Sequence, residues 1–259
     1  MNNLQSITDQ IEEVEKLLKE QKAKRIRKKL KKKEIKDHPY IYLLCIDFEA
    51  TCFDMPTYQK RKIQEIIEFP AVLINLQNGV IESEFHRYVR PTEIGILSEY
   101  CTNLTKISQA TVDSAKVLQD VIEEFRIWLK ELIKEKNLIM PKTKKSNLDG
   151  NCCICTWTNW DILIQLRNEC NRKQLKKLSV FNQWMDLKEI FINERCSPKE
   201  QYSFSQALAK EGIEFIGQPH SGIDDARMTA RLAYKLHTEG SYLRITRDMN
   251  HYSKINRPF

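Results

Sequence analysis

Residues 41–48, IYLLCIDF, are apolar at nearly every position until Asp47, and Glu49 follows directly. A strand with water on one face alternates apolar with polar residues, whereas an unbroken apolar run must be covered on both faces. This segment is therefore expected at the centre of a sheet with packed material above and below it. Residues 65–76 and 80–89 read as two further strands joined by Asn78-Gly79, a pair that suits the tight turn of a hairpin. Three antiparallel strands result, with the first in the sheet centre. Residues 114–134 place Val117, Val121, Phe125, Trp128 and Leu132 along one side of a long helix. After a polar loop at 141–150, residues 152–158 read as a strand running into a helix at 161–172, and helices are expected at 203–210 and 224–237. Strands followed by helix, strand and helix make the chain α/β, a mixed sheet with helices on both faces.

The net charge of +7 is unevenly spread. Residues 16–36 hold twelve Lys or Arg against two Glu, residues 1–15 hold four acids and no base, and the remainder is nearly neutral. The basic character thus belongs to an N-terminal extension, expected over 1–38, ahead of one folded domain at 39–250 and a short tail at 251–259. Within the extension, Leu4, Ile7, Ile11, Val14 and Leu18 form one apolar stripe on a helix that Ser6 and Asp9 would cap. The stripe suits docking against the parent domain better than dimerisation, since coiled coils usually need three or four heptads. A monomer is expected, with pairing through this helix as the alternative. The run KAKRIRKKLKKK suits a nuclear-import signal, a phosphate-binding arm or a solvated helix.

No apolar run approaches the roughly 18 to 20 residues that span a bilayer. The eight cysteines lie in apolar runs without the spacing of a secreted disulfide framework. An intracellular protein, cytoplasmic or nuclear and without a membrane partner, is expected.

The chemistry lies in acids. On an extended backbone, residues two apart share a face, so Asp47 and Glu49 project together. Two buried anions so placed repel unless a cation lies between them. Oxygen ligands favour magnesium or manganese over zinc. Taken alone, Asp-x-Glu also arises by chance at acidic strand ends. Asp161, in Asn159-Trp160-Asp161, opens a helix after an apolar strand, where an acid can equally serve the helix amides. His220 and Asp225 lie five apart in HSGIDD, again where a loop enters a helix. Adjacent helical residues point about 100° apart, so Asp224 and Asp225 cannot both face one ion, and Asp225 is the expected ligand.

In that order, Asp47, Glu49, Asp161, His220 and Asp225 resemble the pattern of the DEDDh 3′-to-5′ exonucleases. The runs DFEATC, EIIEFPAVLIN, YVRP, LTKISQATVD and HSGIDDARMTARLA are similar to the Eri/Snipper branch, which includes the histone-mRNA 3′-exonuclease, over roughly residues 40–250. Lys106 departs from the glycine common in that branch. The resemblance implies a ribonuclease H-like fold with a central mixed five-stranded sheet flanked by helices. It implies two Mg2+ ions, with Mn2+ able to substitute: Asp47 bridging both, Glu49 and Asp225 completing the first, Asp161 holding the second. It makes His220 the general base, a role suited to a side chain that ordinarily titrates near ~6.5. It implies hydrolysis from the 3′ end of single-stranded or overhanging RNA, with DNA tolerated, releasing nucleoside 5′-monophosphates. Backbone at Phe48, Glu49 and Ala50 would meet the terminal nucleoside, with Leu104, Ile107 and His220 beside it. Trp160 would stack on a base or pack beneath its helix. The rival readings are an inactive nucleic-acid-binding module of the same fold, an endonuclease, and a zinc module built on Cys152, Cys153 and Cys155.

Overall fold

A computed structural model describes residues 40–54, 63–141, 150–197 and 200–249. The expected N-terminal extension with its apolar stripe and basic run, the tail at 251–259 and most of the loop at 141–150 lie outside those residues. In chain order the elements begin with β1 (Tyr42–Cys45), the two-residue β2 (Glu49–Ala50), β3 (Ile66–Asn75) and β4 (Ile81–Arg90). Next come the short helices α1 (Glu99–Thr105) and α2 (Gln109–Asp113), the two-residue β5 (Lys116–Val117), and the long α3 (Leu118–Lys136). β6 (Cys152–Thr156) leads to a π-helical segment (Trp160–Leu166) that continues as α4 (Arg167–Arg172), then a 3-10 turn (Ser179–Asn182) and β7 (Gln183–Asp186). The chain closes with α5 (Leu187–Arg195), α6 (Phe204–Lys210), α7 (Gly222–Thr238) and β8 (Arg247–Asp248).

The strands form one mixed sheet in the order β5-β4-β3-β1-β6-β7-β8, with β2 added to β3. β1 is central, antiparallel to β3 and parallel to β6. The hairpin turns where expected, with Gly79 at φ +74° supplying the left-handed backbone that a tight turn requires. Both faces of β1 are covered, as its unbroken apolar run demands. Leu43 and Cys45 join Val72 and Ile74 under Ala226, Ala230 and Ala233 of α7. Leu44 and Ile46 join Phe69 and Leu73 under Val121, Phe125 and Leu129 of α3. Three alanines on α7 let that helix lie close to the sheet, and its first turn reaches the end of β1.

Some expectations change. The helix placed at 114–134 starts at Leu118, because Ser114 closes α2 and Val117 pairs with Arg90 in β5. The helix placed at 161–172 begins in π geometry, a form that side-chain spacing does not announce. Five strands carry the sheet as expected, but two-residue additions at β2, β5 and β8 extend it, and β7 was not anticipated.

Candidate active site

Asp47 lies two residues beyond the end of β1, and Glu49 opens β2, so the two acids are not on one continuous strand as expected. Alternation nevertheless persists across the break. Phe48 is buried with its ring 4.5 Å from that of Phe69, while Asp47 and Glu49 on either side remain half-buried. The aromatic wedge thus fixes the backbone and sets both carboxylates on the other face. The Phe48 amide also donates to Asp161 Oδ1 at 2.8 Å, tying the start of the π-helical segment to the first acidic pair. Asp161 is buried, as is Asp225 in the first turn of α7. Asp225 Oδ2 accepts the His220 amide at 2.8 Å. His220 itself is exposed and holds φ at +64°, a conformation uncommon outside glycine and one that recurs at functional sites.

Ligand atoms of Glu49, His220 and Asp225 all lie within 4.8 Å of one another. Among the described residues no lysine or arginine pairs with Asp47, Glu49, Asp161 or Asp225. Their protonation shows the strain of that arrangement. Loss of water, then Asp161, Asp225, Glu49 and Glu68 in that order, push the Asp47 carboxyl well above its ordinary range. Burial followed by Glu68, Asp225 and Asp161 pushes Glu49 up to about 9. Burial raises Asp161 and Asp225 to about 7 each, although the Phe48 and His220 amides pull the other way. An all-carboxylate pocket with an imidazole at its edge and no cation of its own fits hard divalent ions.

Glu68 was not singled out from the sequence, and it holds the site together. It is 1% exposed, and its carboxylate accepts from Gly222 N at 2.9 Å and Ile223 N at 3.1 Å and pairs with His86 Nε2 at 2.8 Å. An acid on the first amides of a helix is favoured by the helix dipole, so Glu68 anchors the helix that carries Asp225. The available signal was an acid inside the otherwise apolar run IIEFPAVLIN. Gly222 permits the same approach, since a Cβ there would stand 2.6 Å from the Asp47 carbonyl oxygen.

The other named positions divide. Asp224 turns away as expected: its Oδ2 accepts Gln218 N at 2.9 Å and its Oδ1 pairs with Arg227 at 2.8 Å. Ala50 and Ile107 are buried and Leu104 is half-buried. The side chain of Phe48 is in the core, which leaves only backbone for a substrate. Trp160 lines a groove of about 410 Å3 with Asn159, Lys188 and Arg247, and none of the four ligand candidates lines that groove. Lys106 sits at φ +61° and caps α1 through its amide to the Thr102 carbonyl. Left-handed backbone there costs about 1 kcal/mol without glycine. Cys153 and Cys155 face one core, Cys152 the other, and burial pushes all three thiols up, so they form no zinc knuckle.

A family model described as Exonuclease (RNase_T) matches residues 44–233. The chain belongs to this exonuclease family. The exonuclease is 43% identical over 233 residues to the 3′-5′ exonuclease Snipper of Drosophila melanogaster, covering 90% of this chain and 82% of Snipper. It is 43% identical over 216 residues to ERI1 exoribonuclease 2 of Homo sapiens, covering 81% of this chain but only 30% of that protein. The nuclease domain of 3′hExo, a DEDDh family member solved with rAMP, superposes with a TM-score of 0.71 at 32% identity, over 81% of this chain and 98% of that one. This exonuclease is thus a 3′-to-5′ enzyme of the DEDDh family with the mixed α/β fold of its relatives. That fold implies divalent metal ions.

Proposed function

We propose that the exonuclease trims RNA from the 3′ end, releasing nucleoside 5′-monophosphates, with DNA as a tolerated second substrate. In this reading Asp47, Glu49, Asp161 and Asp225 hold two Mg2+ ions, for which Mn2+ substitutes. The observation that carries it is the cluster of Glu49, His220 and Asp225 ligand atoms within 4.8 Å of one another, with Asp161 tied to the Phe48 amide between Asp47 and Glu49 and no basic partner for the acids among the described residues. Divalent ions, when bound, offset the negative charge that builds on the attacking and leaving oxygens of a phosphodiester. His220 takes the proton of the attacking water. Its ring is exposed and lies beside Glu49 and Asp225, and its backbone is fixed by Asp225, so the base and a ligand are set by the same short loop. Phe48 and Glu68 position the acids: one through its amide to Asp161, the other by anchoring the first turn of α7.

The choice of RNA rests on relatives. The 3′hExo nuclease domain is solved with rAMP, and a further 3′-exonuclease structure, 32% identical with a TM-score of 0.70, concerns 3′-end recognition of the histone mRNA stem-loop. We place the enzyme in a reducing compartment, cytoplasm or nucleus, because all eight cysteines are free thiols. The test uses end-labelled single- and double-stranded RNA and DNA, with magnesium or chelator, on the wild type and Asp225→Asn. Stepwise shortening from the 3′ end that needs metal and is fastest on single-stranded RNA is expected. Cleavage of a circular substrate would sink the exonuclease reading, and faster loss of DNA would overturn the RNA preference.

A further inference from the structure

The segment that carries Glu49 is fastened to α1 by two cysteines. Cys52, three residues after Glu49, is half-buried, and Cys101 on α1 is fully buried. Their side chains share a hydrogen bond, and both pack with Ile67, Leu97, Ile107 and Val112. Cys101 Sγ also approaches the Ala50 carbonyl oxygen at 3.8 Å. Ser98 completes the clasp, its hydroxyl donating to the Cys52 carbonyl at 2.5 Å and accepting the Cys101 amide at 3.0 Å. The bond between them pushes the Cys52 thiol up and holds the Cys101 thiol below its ordinary range, so Cys52 is the slow, solvent-facing sulfur and Cys101 the readier partner behind it. Cys45 and Cys155 also touch, but both are fully buried, with no route for a reagent. The Cys52–Cys101 pair sets two sulfurs side by side, one of them half-exposed to a reagent and the other placed to resolve what forms there.

We infer that Cys52 and Cys101 form an oxidation site at which peroxide closes a disulfide that slows the nuclease until a thiol reductant reopens it. The Cys52 sulfur gives up its proton and attacks the peroxide O–O bond; the O–O bond breaks, the departing hydroxide takes that proton as one water, and Cys52 is left as a sulfenic acid. The Cys101 sulfur then attacks the Cys52 sulfur; the S–S bond forms, the S–O bond breaks, and the hydroxide leaves with the Cys101 proton as a second water. Two thiols are oxidised and one peroxide is reduced. A disulfide brings the sulfurs closer than their hydrogen-bonded contact, and we infer that it draws the Cys52 segment, which continues β2, toward α1. Glu49 and Ala50 constitute β2, so the shift reaches a proposed metal ligand. Displacements on the order of 1 Å at a catalytic constellation cost up to about a hundredfold in rate.

This inference rests on the nuclease reading for its consequence but not for its chemistry. The full chain, freed of reductant, is treated with hydrogen peroxide and then divided. A non-reducing peptide map is expected to show Cys52 linked to Cys101, and 3′-labelled RNA degradation to fall roughly tenfold or more and recover with dithiothreitol. Mn2+ titration followed by electron paramagnetic resonance is expected to show weaker binding in the linked form. Cys52→Ser should resist the peroxide loss, while Cys196→Ser stays as sensitive as wild type. Absence of the linked peptide where Cys196 is oxidised overturns the site, as does equal peroxide sensitivity in Cys52→Ser. A linked form that binds Mn2+ and degrades RNA like the reduced protein overturns the switch. Should the reduced chain degrade no RNA, the proposed function fails, while the peptide map and the Mn2+ titration still decide the oxidation site.

Discussion

Glu65 and Glu68 stand three residues apart, one just before β3 and one within it, yet they serve two opposite kinds of acidic cluster. Glu65 belongs to a closed one. Its carboxylate accepts the amides of Thr92, Glu93 and Ile94 and meets Lys173 Nζ at 2.6 Å, and Lys173 bonds Glu169 at 2.7 Å as well. Burial works to raise the Glu65 carboxyl, and the Lys173 bond and the amides outweigh it, leaving it below its ordinary range. Glu68 adjoins the open cluster, where Asp47, Glu49, Asp161 and Asp225 are all raised. Both clusters remove carboxylates from water, but only one contains its own counter-charge. The first is architecture. The second is a place kept for something that arrives from solution.

The contrast can be broken from either side. Asp225→Asn should reduce turnover by roughly a thousandfold or more, since several kcal/mol of charge stabilisation depend on the ligand set. The same variant should melt a few degrees higher than wild type in chelator at pH 8, because it removes a charge the site repels. A single protein measured by RNA decay and by thermal melting decides both, and a lower melting temperature would place Asp225 in a compensated environment.

Lys173→Met should do the reverse. Removing one partner from a buried ion cluster costs about 3–5 kcal/mol, while activity per folded molecule is retained. Urea unfolding checks the first and an active-site titration the second. Loss of turnover without loss of stability would join the two clusters into one functional unit.

The pH dependence should differ as well. A carboxyl raised in the folded state favours folding below its ordinary range and loses that contribution as pH rises through the folded value, here about 7 for Asp161 and Asp225 and about 9 for Glu49. The lowered Glu65 carboxyl does the opposite, contributing above its ordinary range and losing the contribution on acidification. In chelator, the melting temperature should therefore decline between pH 5 and 9, and magnesium should flatten that decline. A flat profile in chelator would mean the acids share no common field.

The smallest effect is expected at Asp224→Asn. It should cost about 1 kcal/mol through the weakened Arg227 pair and leave turnover within about threefold. A large loss of turnover would exchange its role with that of Asp225.

How much of this was legible follows from which interactions are local. The β3–β4 hairpin, α6 and α7 were readable because alternation, a Gly turn, Ser203 as a cap and a 3.6-residue stripe each act within a few residues. The five candidate residues were legible as residue types at strand and helix ends. β7 was not, because four residues following a 3-10 turn carry no period. Nor was the break that sets Asp47 outside both β1 and β2, or the register shift of β2 against β3 between Glu49 and Ala50. Glu68 escaped for the same reason: its meaning depends on a helix beginning 154 residues later in the chain.

That last distance has a consequence for how the protein comes into being. The proposed general base and the final carboxylate arrive together, on the loop and first turn of α7, long after the other three acids in the chain. A polypeptide still leaving the ribosome, with the first three acids already made, lacks both. Until α7 seats Gly222 against the Asp47 carbonyl, the nascent chain holds a proposed site without its base or its last ligand.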